Sequence, residues 1–236
     1  MKNINLIALF LFCFSGVNAQ VSLNYRPGYG TYLMTNLSFL QERILAKSEL
    51  PAKITAQFPG YFNHKLMIHL PKQGEDNSLF LGYVTTGGRI SLTDYSGKWH
   101  FDMKLNGIKA GLHKEFPFQK FNRFNIKTYL DFGTTLTYMK LTELIEIGDE
   151  KISTSDLFVG HGIDFEPGFL IKMEKPRFNI GMFCGFELDI AMAFYKRGAF
   201  RGKLQGGNRP VRPNWTGLRT GFQIDLKYRK LPQEQR

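Results

Sequence analysis

The stretch "WTGLRTGFQIDLKYRKL" (215–231) alternates between apolar and polar side chains. One set of positions is Leu218, Thr220, Phe222, Ile224, Leu226 and Tyr228, and the other is Gly217, Arg219, Gly221, Gln223, Asp225, Lys227 and Arg229. Successive side chains of a strand point to opposite faces, so this is a strand with one apolar and one charged face. The apolar face meets either a protein core, as in a soluble sandwich, or lipid, as in a transmembrane barrel whose charged face lines the lumen.

The first 19 residues predict a secretory signal peptide. Lys2 gives a positive start, residues 6–14 form an apolar run, and cleavage is expected after Ala19. The run is too short for a spanning helix, which needs about 20 apolar residues. The predicted organisation is therefore a signal peptide at 1–19, one barrel domain at 20–230 and a C-terminal tail at 231–236. Of the two cysteines, Cys13 leaves with the signal peptide, so the exported chain keeps only Cys184 and no internal disulfide.

The composition is basic but not strongly apolar. The formal net charge is +11, the pI is about 9.6 and the mean hydropathy is −0.23. No later segment predicts a transmembrane helix, yet a barrel, in which only every second residue meets lipid, has the same low hydropathy. The charge suits an anionic lipid surface or an anionic polysaccharide. Nucleic acid is not expected as a partner because the exported chain carries no recognisable binding motif.

Eight segments have strand-like alternation, at 21–34, 61–70, 78–92, 99–113, 123–141, 157–172, 178–192 and the stretch quoted above. In the fourth, the alternation slips at Asn106-Gly107, which predicts a β-bulge. With the N-terminus in the periplasm, the compact links fall on the periplasmic side and three of the four others are long, as in outer-membrane barrels. We predict an all-β fold: a closed antiparallel eight-stranded transmembrane β-barrel with one short amphipathic helix between strands 1 and 2.

The predicted helix lies in "TNLSFLQERILAKSELP" (35–51). Ser38 and Gln41 have the spacing of a capping box, and Pro51 ends the segment. The apolar face consists of Leu37, Leu40, Ile44 and Leu45. The helix at 38–49 could lie on the outer-leaflet surface, contact a partner or fold into the barrel mouth as a plug, and the plug is favoured.

Full charges of both signs occupy the polar faces of the predicted strands. Buried charges must be paired and an eight-stranded lumen is narrow, so these side chains are expected to fill the lumen as a salt-bridge network. The predicted network is Lys127, Asp131, Asp164, Glu166, Glu187, Asp189, Arg219, Asp225 and Lys227. His161 lies near Asp164 and Glu166 in sequence but on the opposite face, so no metal or acid–base site is predicted there. No catalytic residue, metal or cofactor is expected.

The segment "YKRGAFRGKLQGGNRPVRPNW" (195–215) is basic and contains no acidic residue. The assumed topology places it outside the cell, where its cations could bind lipopolysaccharide phosphates. These candidates are Lys196, Arg197, Arg201, Lys203, Arg209 and Arg212. The alternative is a solvated loop without a ligand.

Three stretches together resemble small, uncharacterised outer-membrane β-barrel proteins of the Bacteroidota: "GYGTYLMTNLSFLQ" (28–41), "FPGYF" (58–62) and "TTGGRISLTDYSGKW" (85–99). The resemblance covers the first half of the chain by motif and the second half by strand pattern alone. It implies an outer-membrane location and a single closed barrel, and it implies no catalytic residue. One departure is that Tyr228 is followed by "RKLPQEQR", whereas such barrels often end on an aromatic residue.

The expected function is structural or surface-binding. The expected partners are outer-membrane lipid, lipopolysaccharide and, during biogenesis, the barrel-assembly machinery, with the barrel itself a monomer. One alternative is a lipid-modifying barrel enzyme, for which His100 near Ser96 is the candidate pair. The other alternative is a soluble periplasmic lipocalin-like carrier.

Overall fold

The computed structural model describes residues 22–48, 50–69, 77–95, 97–122, 124–175, 178–197, 203–205 and 210–226. The predicted signal peptide, the C-terminal tail and Lys227 lie outside these ranges. The described elements are β1 (Ser22–Gly30), α1 (Thr35–Lys47), β2 (Lys53–Gln57), β3 (Tyr61–His69), β4 (Asn77–Asp94), β5 (Gly97–Phe121), β6 (Phe124–Ile147), β7 (Glu150–Glu174), β8 (Phe178–Ala191), β9 (Tyr195–Lys196) and β10 (Gly217–Leu226). Among the described residues, no helix is long and apolar enough to cross a membrane.

Eight of these strands pair into a closed antiparallel ring. The order around it is β1, β10, β8, β7, β6, β5, β4 and β3, and the β3–β1 pairing closes the circle. A closed ring leaves no unpaired sheet edge within the barrel wall. The predicted eight-stranded antiparallel barrel, with α1 between its first two strands, is confirmed.

Two short strands, β2 and β9, lie beside this ring, and β2 is related to the ring strand β3. The end of the barrel that carries α1 is called the outer end and the opposite end the inner end. β2 pairs with residues Gly88 to Ser91 of β4, towards the outer end, while β3 pairs with residues Ser78 to Tyr83, towards the inner end. β2 and β3 are thus two pieces of one broken strand. The break is at Phe58, whose φ of 44° is left-handed and whose N–H donates to the Gly87 carbonyl at 3.0 Å. The left-handed backbone directs the Phe58 ring into the barrel mouth, where it is buried.

The outward face of the wall is an apolar belt. On β6, Phe124 and Tyr138 flank it, and the belt runs from Ile126 to Leu136 with Thr128 and Thr134 among its apolar side chains. Ten residue steps at about 3.3 Å, tilted by about 40°, give a height of about 25 Å, which matches the hydrocarbon span of an outer-membrane barrel. Further exposed members on other strands include Leu79, Leu81, Ile108, Leu112, Ile163, Phe165, Phe169, Met182, Phe186, Leu218, Phe222 and Ile224. Cys184 lies on this face of β8, between Met182 and Phe186.

The predicted bulge at Asn106-Gly107 is wrong. The pairings of Asn106 and Gly107 continue without a register shift to both β4 and β6. What changes there is the polarity of the two faces: Lys109 points inward below Gly107, whereas Leu105 points inward above it. The slip in the sequence pattern is therefore a change of surroundings along one regular strand.

A register shift does occur on β5, but between Pro117 and Gln119. Proline has no N–H to donate to the ladder, so an irregularity at Pro117 is expected. The sequence pattern predicts a compact link between the fourth and fifth strands, at 114–122, yet β5 continues through it to Phe121. It also predicts a longer link between the fifth and sixth strands, at 142–156, and this segment is likewise strand, because β6 and β7 extend to the turn at Gly148.

An apolar core fills the outer third of the barrel. Its members are Tyr32, Met34, Leu37, Leu40, Phe58, Val84, Met103, Leu105, Met139, Phe158, Phe194, Val211 and Trp215. The indole N–H of Trp215 donates to the Thr137 hydroxyl at 2.9 Å. A Cβ at Gly107 would lie 3.2 Å from the Trp215 ring, so glycine gives this ring its space.

Helix α1 closes the mouth by packing its Leu37 and Leu40 side chains into this core. This is the plug position favoured by the sequence. The predicted capping box is wrong: the helix begins at Thr35 after Met34, with no side-chain cap. Gln41 is instead fully buried, and its amide donates to the Ala56 carbonyl of β2 at 2.9 Å. It therefore ties the helix to the broken strand.

Candidate functional site

The barrel lumen below the apolar core is filled by charged side chains in three layers. The layer nearest the N-terminus of β1 centres on Glu115. This carboxylate accepts hydrogen bonds from Lys127 at 2.8 Å and from Lys172 at 2.5 Å. Lys172 also lies 2.8 Å from Asp225, and Gln223 donates to Asp225 at 2.7 Å. Four strands are joined by this layer.

The middle layer centres on Asp131, whose side chain is completely buried. Its carboxylate contacts the Lys65 ammonium and the His113 ring, and the Arg26 guanidinium lies 3.5 Å away. Lys65 also bonds Glu166 at 2.9 Å.

Aromatic rings pack against the same layer. The Tyr129 hydroxyl donates to Glu166 at 2.7 Å. The guanidinium carbon of Arg26 lies 4.4 Å from the centre of the Tyr129 ring and 4.9 Å from that of Phe183. Stacking on two ring faces stabilises a buried guanidinium in addition to its ion pair.

The outermost charged layer centres on Glu187. It pairs with Lys109 and with Arg219, whose Nε and Nη2 lie 2.8 and 2.7 Å from Oε2. Asp189 accepts the backbone N–H of Trp215 at 2.9 Å. This hydrogen bond connects the charged layers to the apolar core.

All predicted lumen residues within the described ranges point into the ring, namely Lys127, Asp131, Asp164, Glu166, Glu187, Asp189, Arg219 and Asp225. Asp164 accepts the Thr135 hydroxyl at 2.8 Å. His161 points outward, away from Asp164 and Glu166. Among the described residues, no group of three or more His, Cys, Asp and Glu side chains could hold a metal ion.

Sequence reasoning left out six charged or titratable members of the layers: Arg26, Lys65, Lys109, His113, Glu115 and Lys172. Three of them lie on β5 after Gly107, where the assumed bulge disrupted the alternation. The other three occupy polar-face positions of their strands. Assigning every second residue of each strand to the face that points into the ring would have identified all six.

Little space remains between the layers. A cavity of about 10 Å³ lies among Arg26, Lys65, Lys109 and Glu187, and such a volume holds one water molecule at most. A wider vestibule of about 240 Å³ opens at the inner end, lined by Glu115, Lys127, Lys172 and Asp225 among others. The described lumen is therefore a packed polar core.

The basic loop after β8 returns to the wall through β9, which pairs with β7. The Lys196 ammonium lies 2.7 Å from the Asp156 carboxylate of β7. The loop segment has no acidic residue, so this ion pair is made with a strand of the barrel wall. Lys203 lies over the Tyr195 ring, while Arg197 and Arg212 are exposed. Arg201 and Arg209 lie outside the described residues.

Beyond the mouth, β5, β6 and β7 form an outward-extending sheet. A groove of about 180 Å³ on it is lined by Phe101, Leu141, Glu143 and Asp156, among others. At the tip, Lys151 donates to Glu146 at 2.7 Å, and this hydrogen bond with the accompanying charge lowers the pKa of the Glu146 carboxyl.

The candidate enzyme pair cannot be assembled from the described residues, because Ser96 lies outside them. His100 is half-buried, and its Nδ1 has no hydrogen-bond partner in the described part of the chain. A general base needs a partner that orients its ring, and in the described ranges Nδ1 of His100 has none.

No protein-family model matches this chain, and no curated protein matches it. Similar solved structures include Neisserial surface protein A (NspA), at 11% identity over 89% of this chain and 98% of that one, with a TM-score of 0.37. The attachment invasion locus protein Ail of Yersinia pestis is 11% identical over 88% and 98%, with a TM-score of 0.35. Ail in complex with the heparin analogue sucrose octasulfate gives 10%, the same coverage and 0.37. At these scores the architecture rests on this chain's own strand pairing.

Proposed function

We propose that this protein is an integral outer-membrane β-barrel with a closed, charge-filled lumen that presents a surface structure outside the cell. The observation that carries the proposal is the combination of an apolar belt about 25 Å high on the outside with paired charges on the inside. A soluble β-barrel has the reverse polarity. A lipocalin-like carrier also needs an apolar interior for its ligand, and the charged layers leave no such space.

Lys114 on the outward face of β5 has Leu130 of the belt as its cross-strand partner. Its ammonium lies 5.6 Å from the centre of the Phe116 ring, two residues nearer the inner rim. We propose that the aliphatic part of this side chain covers apolar surface while the ammonium is directed towards the inner lipid headgroups, as lysine side chains do in membranes.

The proposed role is structural and surface-binding. The basic loop residues Lys196, Arg197, Lys203 and Arg212, with Arg201 and Arg209 of the same segment, are proposed to contact lipopolysaccharide phosphates. Exposed guanidinium and ammonium groups bind phosphate through charge-assisted hydrogen bonds. The closed ring needs no second copy to complete its wall, which supports a monomer, and insertion is proposed to use the barrel-assembly machinery.

The proposal is tested by fractionation and gel mobility. Outer membranes are washed with urea and carbonate, and the pellet is run on SDS gels before and after boiling. We expect the protein to stay in the pellet and to change mobility on boiling, because a closed barrel resists SDS until it is heated. Release by the wash with a single mobility would instead mean that the apolar belt meets protein.

A further inference from the structure

Two lysines face each other on the outside of the barrel immediately beyond the apolar belt. Lys104 on β5 and Lys140 on β6 are direct cross-strand partners, and both are exposed on the outward face. Each lies two residues beyond the pair Asn106 and Tyr138, where the belt ends. Two residues at about 3.3 Å along a tilted strand place the Cα atoms of the two lysines about 5 Å beyond the Asn106–Tyr138 pair, which corresponds to the proposed depth of the lipid headgroups.

Nothing in the described part of the chain neutralises this pair. The next strands in the same row contribute Gly87 and Leu157. The next outward row on these strands contains the carboxylate of Asp102, and both of its oxygens accept hydrogen bonds from Arg89, at 2.5 and 3.0 Å. Like charges directly opposite each other on a sheet are destabilising, so this arrangement favours an external anion.

The neighbouring outward rows differ in this respect. Arg89 is matched by Asp102, and Lys151 at the hairpin tip is matched by Glu146. An unmatched pair of cations therefore occurs at the headgroup level, whereas the cations in these rows further out have acids opposite or near them.

We propose that Lys104 and Lys140 form a phosphate-binding site for the glycolipid of the outer leaflet. Cross-strand side chains start about 5 Å apart, so both ammonium groups can reach one phosphate. The site is on the wall, separate from the basic loop, and it rests on the proposed membrane location. Its ligand is a phosphate carried by lipid because the apolar belt begins directly beneath it and receives acyl chains.

The test uses the full-length protein purified in detergent, and native mass spectrometry with lipid A as the probe. We expect diphosphorylated lipid A to bind and dephosphorylated lipid A to bind at least about tenfold more weakly, since two charge-assisted hydrogen bonds are lost. The double variant K104Q/K140Q should lose binding of diphosphorylated lipid A by a similar factor, and K104R/K140R should keep it.

The matched control is K98Q/K151Q, which removes two lysines from outward positions further out. Equal binding by K104Q/K140Q and the wild type would overturn the site, and so would an equal loss in the control. Inorganic phosphate at the lipid concentration should not displace lipid A, and displacement would contradict a lipid ligand. Each variant is first checked for the boiling-dependent mobility change. If the wild type itself lacks that change, the membrane proposal fails together with the site, whereas a heat-shifting wild type that binds no lipid A refutes the site alone.

Discussion

Asp131 has three cationic or titratable partners and no access to solvent. We expect Asp131→Asn to destabilise the barrel by about 3 to 5 kcal/mol, because removing one partner of a buried ion pair leaves the others uncompensated. Equilibrium urea unfolding in lipid vesicles measures this change.

Asp102→Asn is the matched control for that substitution. Asp102 pairs with Arg89 on the exposed outward face, and such surface pairs contribute at most about 1 kcal/mol. Equal losses of stability in the two variants would mean that the lumen charges are solvated rather than packed.

Glu146 offers a residue-scale prediction about pH. Its lowered pKa means that the Lys151 pair is formed above the usual pKa of glutamate and is lost as pH falls through the lowered value. A carboxyl-carbon NMR titration should give a pKa below the usual range, and Lys151→Gln should return it upward. An unchanged pKa in Lys151→Gln would show that Lys151 does not cause the shift.

Among the elements, α1 contributes to the seal of the mouth through Leu37, which is fully buried. Leu37→Ala should cost about 2 to 5 kcal/mol in the stability of this region, through lost burial and the cavity left behind. Amide hydrogen exchange should become faster in α1 and β2. Phe39, which is 56% exposed on the same helix, provides the control Phe39→Ala, with an expected effect within about 0.5 kcal/mol. Equal exchange in both variants would contradict the plug.

The strand β5 illustrates what the sequence pattern could and could not predict. Alternation identified the strand and its partners in the ring, because one face must be apolar wherever the strand meets a uniform environment. It failed at Gly107, since the interior changes there from charged layers to an apolar core and the exterior changes from the apolar belt to polar and charged side chains. A rule that assumes one apolar face along the whole strand interprets such a change of surroundings as an extra residue, that is, as a bulge.

The pairing of the lumen charges was also beyond the sequence. Asp131 and Arg26 are 105 residues apart, and Lys109 and Glu187 are 78 apart. The identity of the inward positions follows from alternation, but the partner of each depends on strand tilt and register around the ring. The sequence favoured the plug position of the helix but left two others open, because its apolar face suits a lipid surface or a partner as well as a protein core.

At the scale of the whole molecule, the three charged layers and the apolar core lie in series along the barrel axis. We expect no steady ion current when the purified protein is inserted into a planar lipid bilayer, because each layer blocks the lumen independently. A channel-forming barrel inserted under the same conditions provides the positive control. Stable conductance steps from this protein would contradict the packed lumen.

Cys184 on the belt is a natural attachment site for a spin label that can measure depth in a membrane. The sequence holds one other cysteine, Cys13, which belongs to the predicted signal peptide, so in a chain cleaved after Ala19 a nitroxide would attach at Cys184 without any substitution. Spin relaxation by dissolved oxygen reports contact with acyl chains, and relaxation by a water-soluble nickel chelate reports contact with the aqueous phase. The ratio of the two effects would give the immersion depth of β8 in a bilayer.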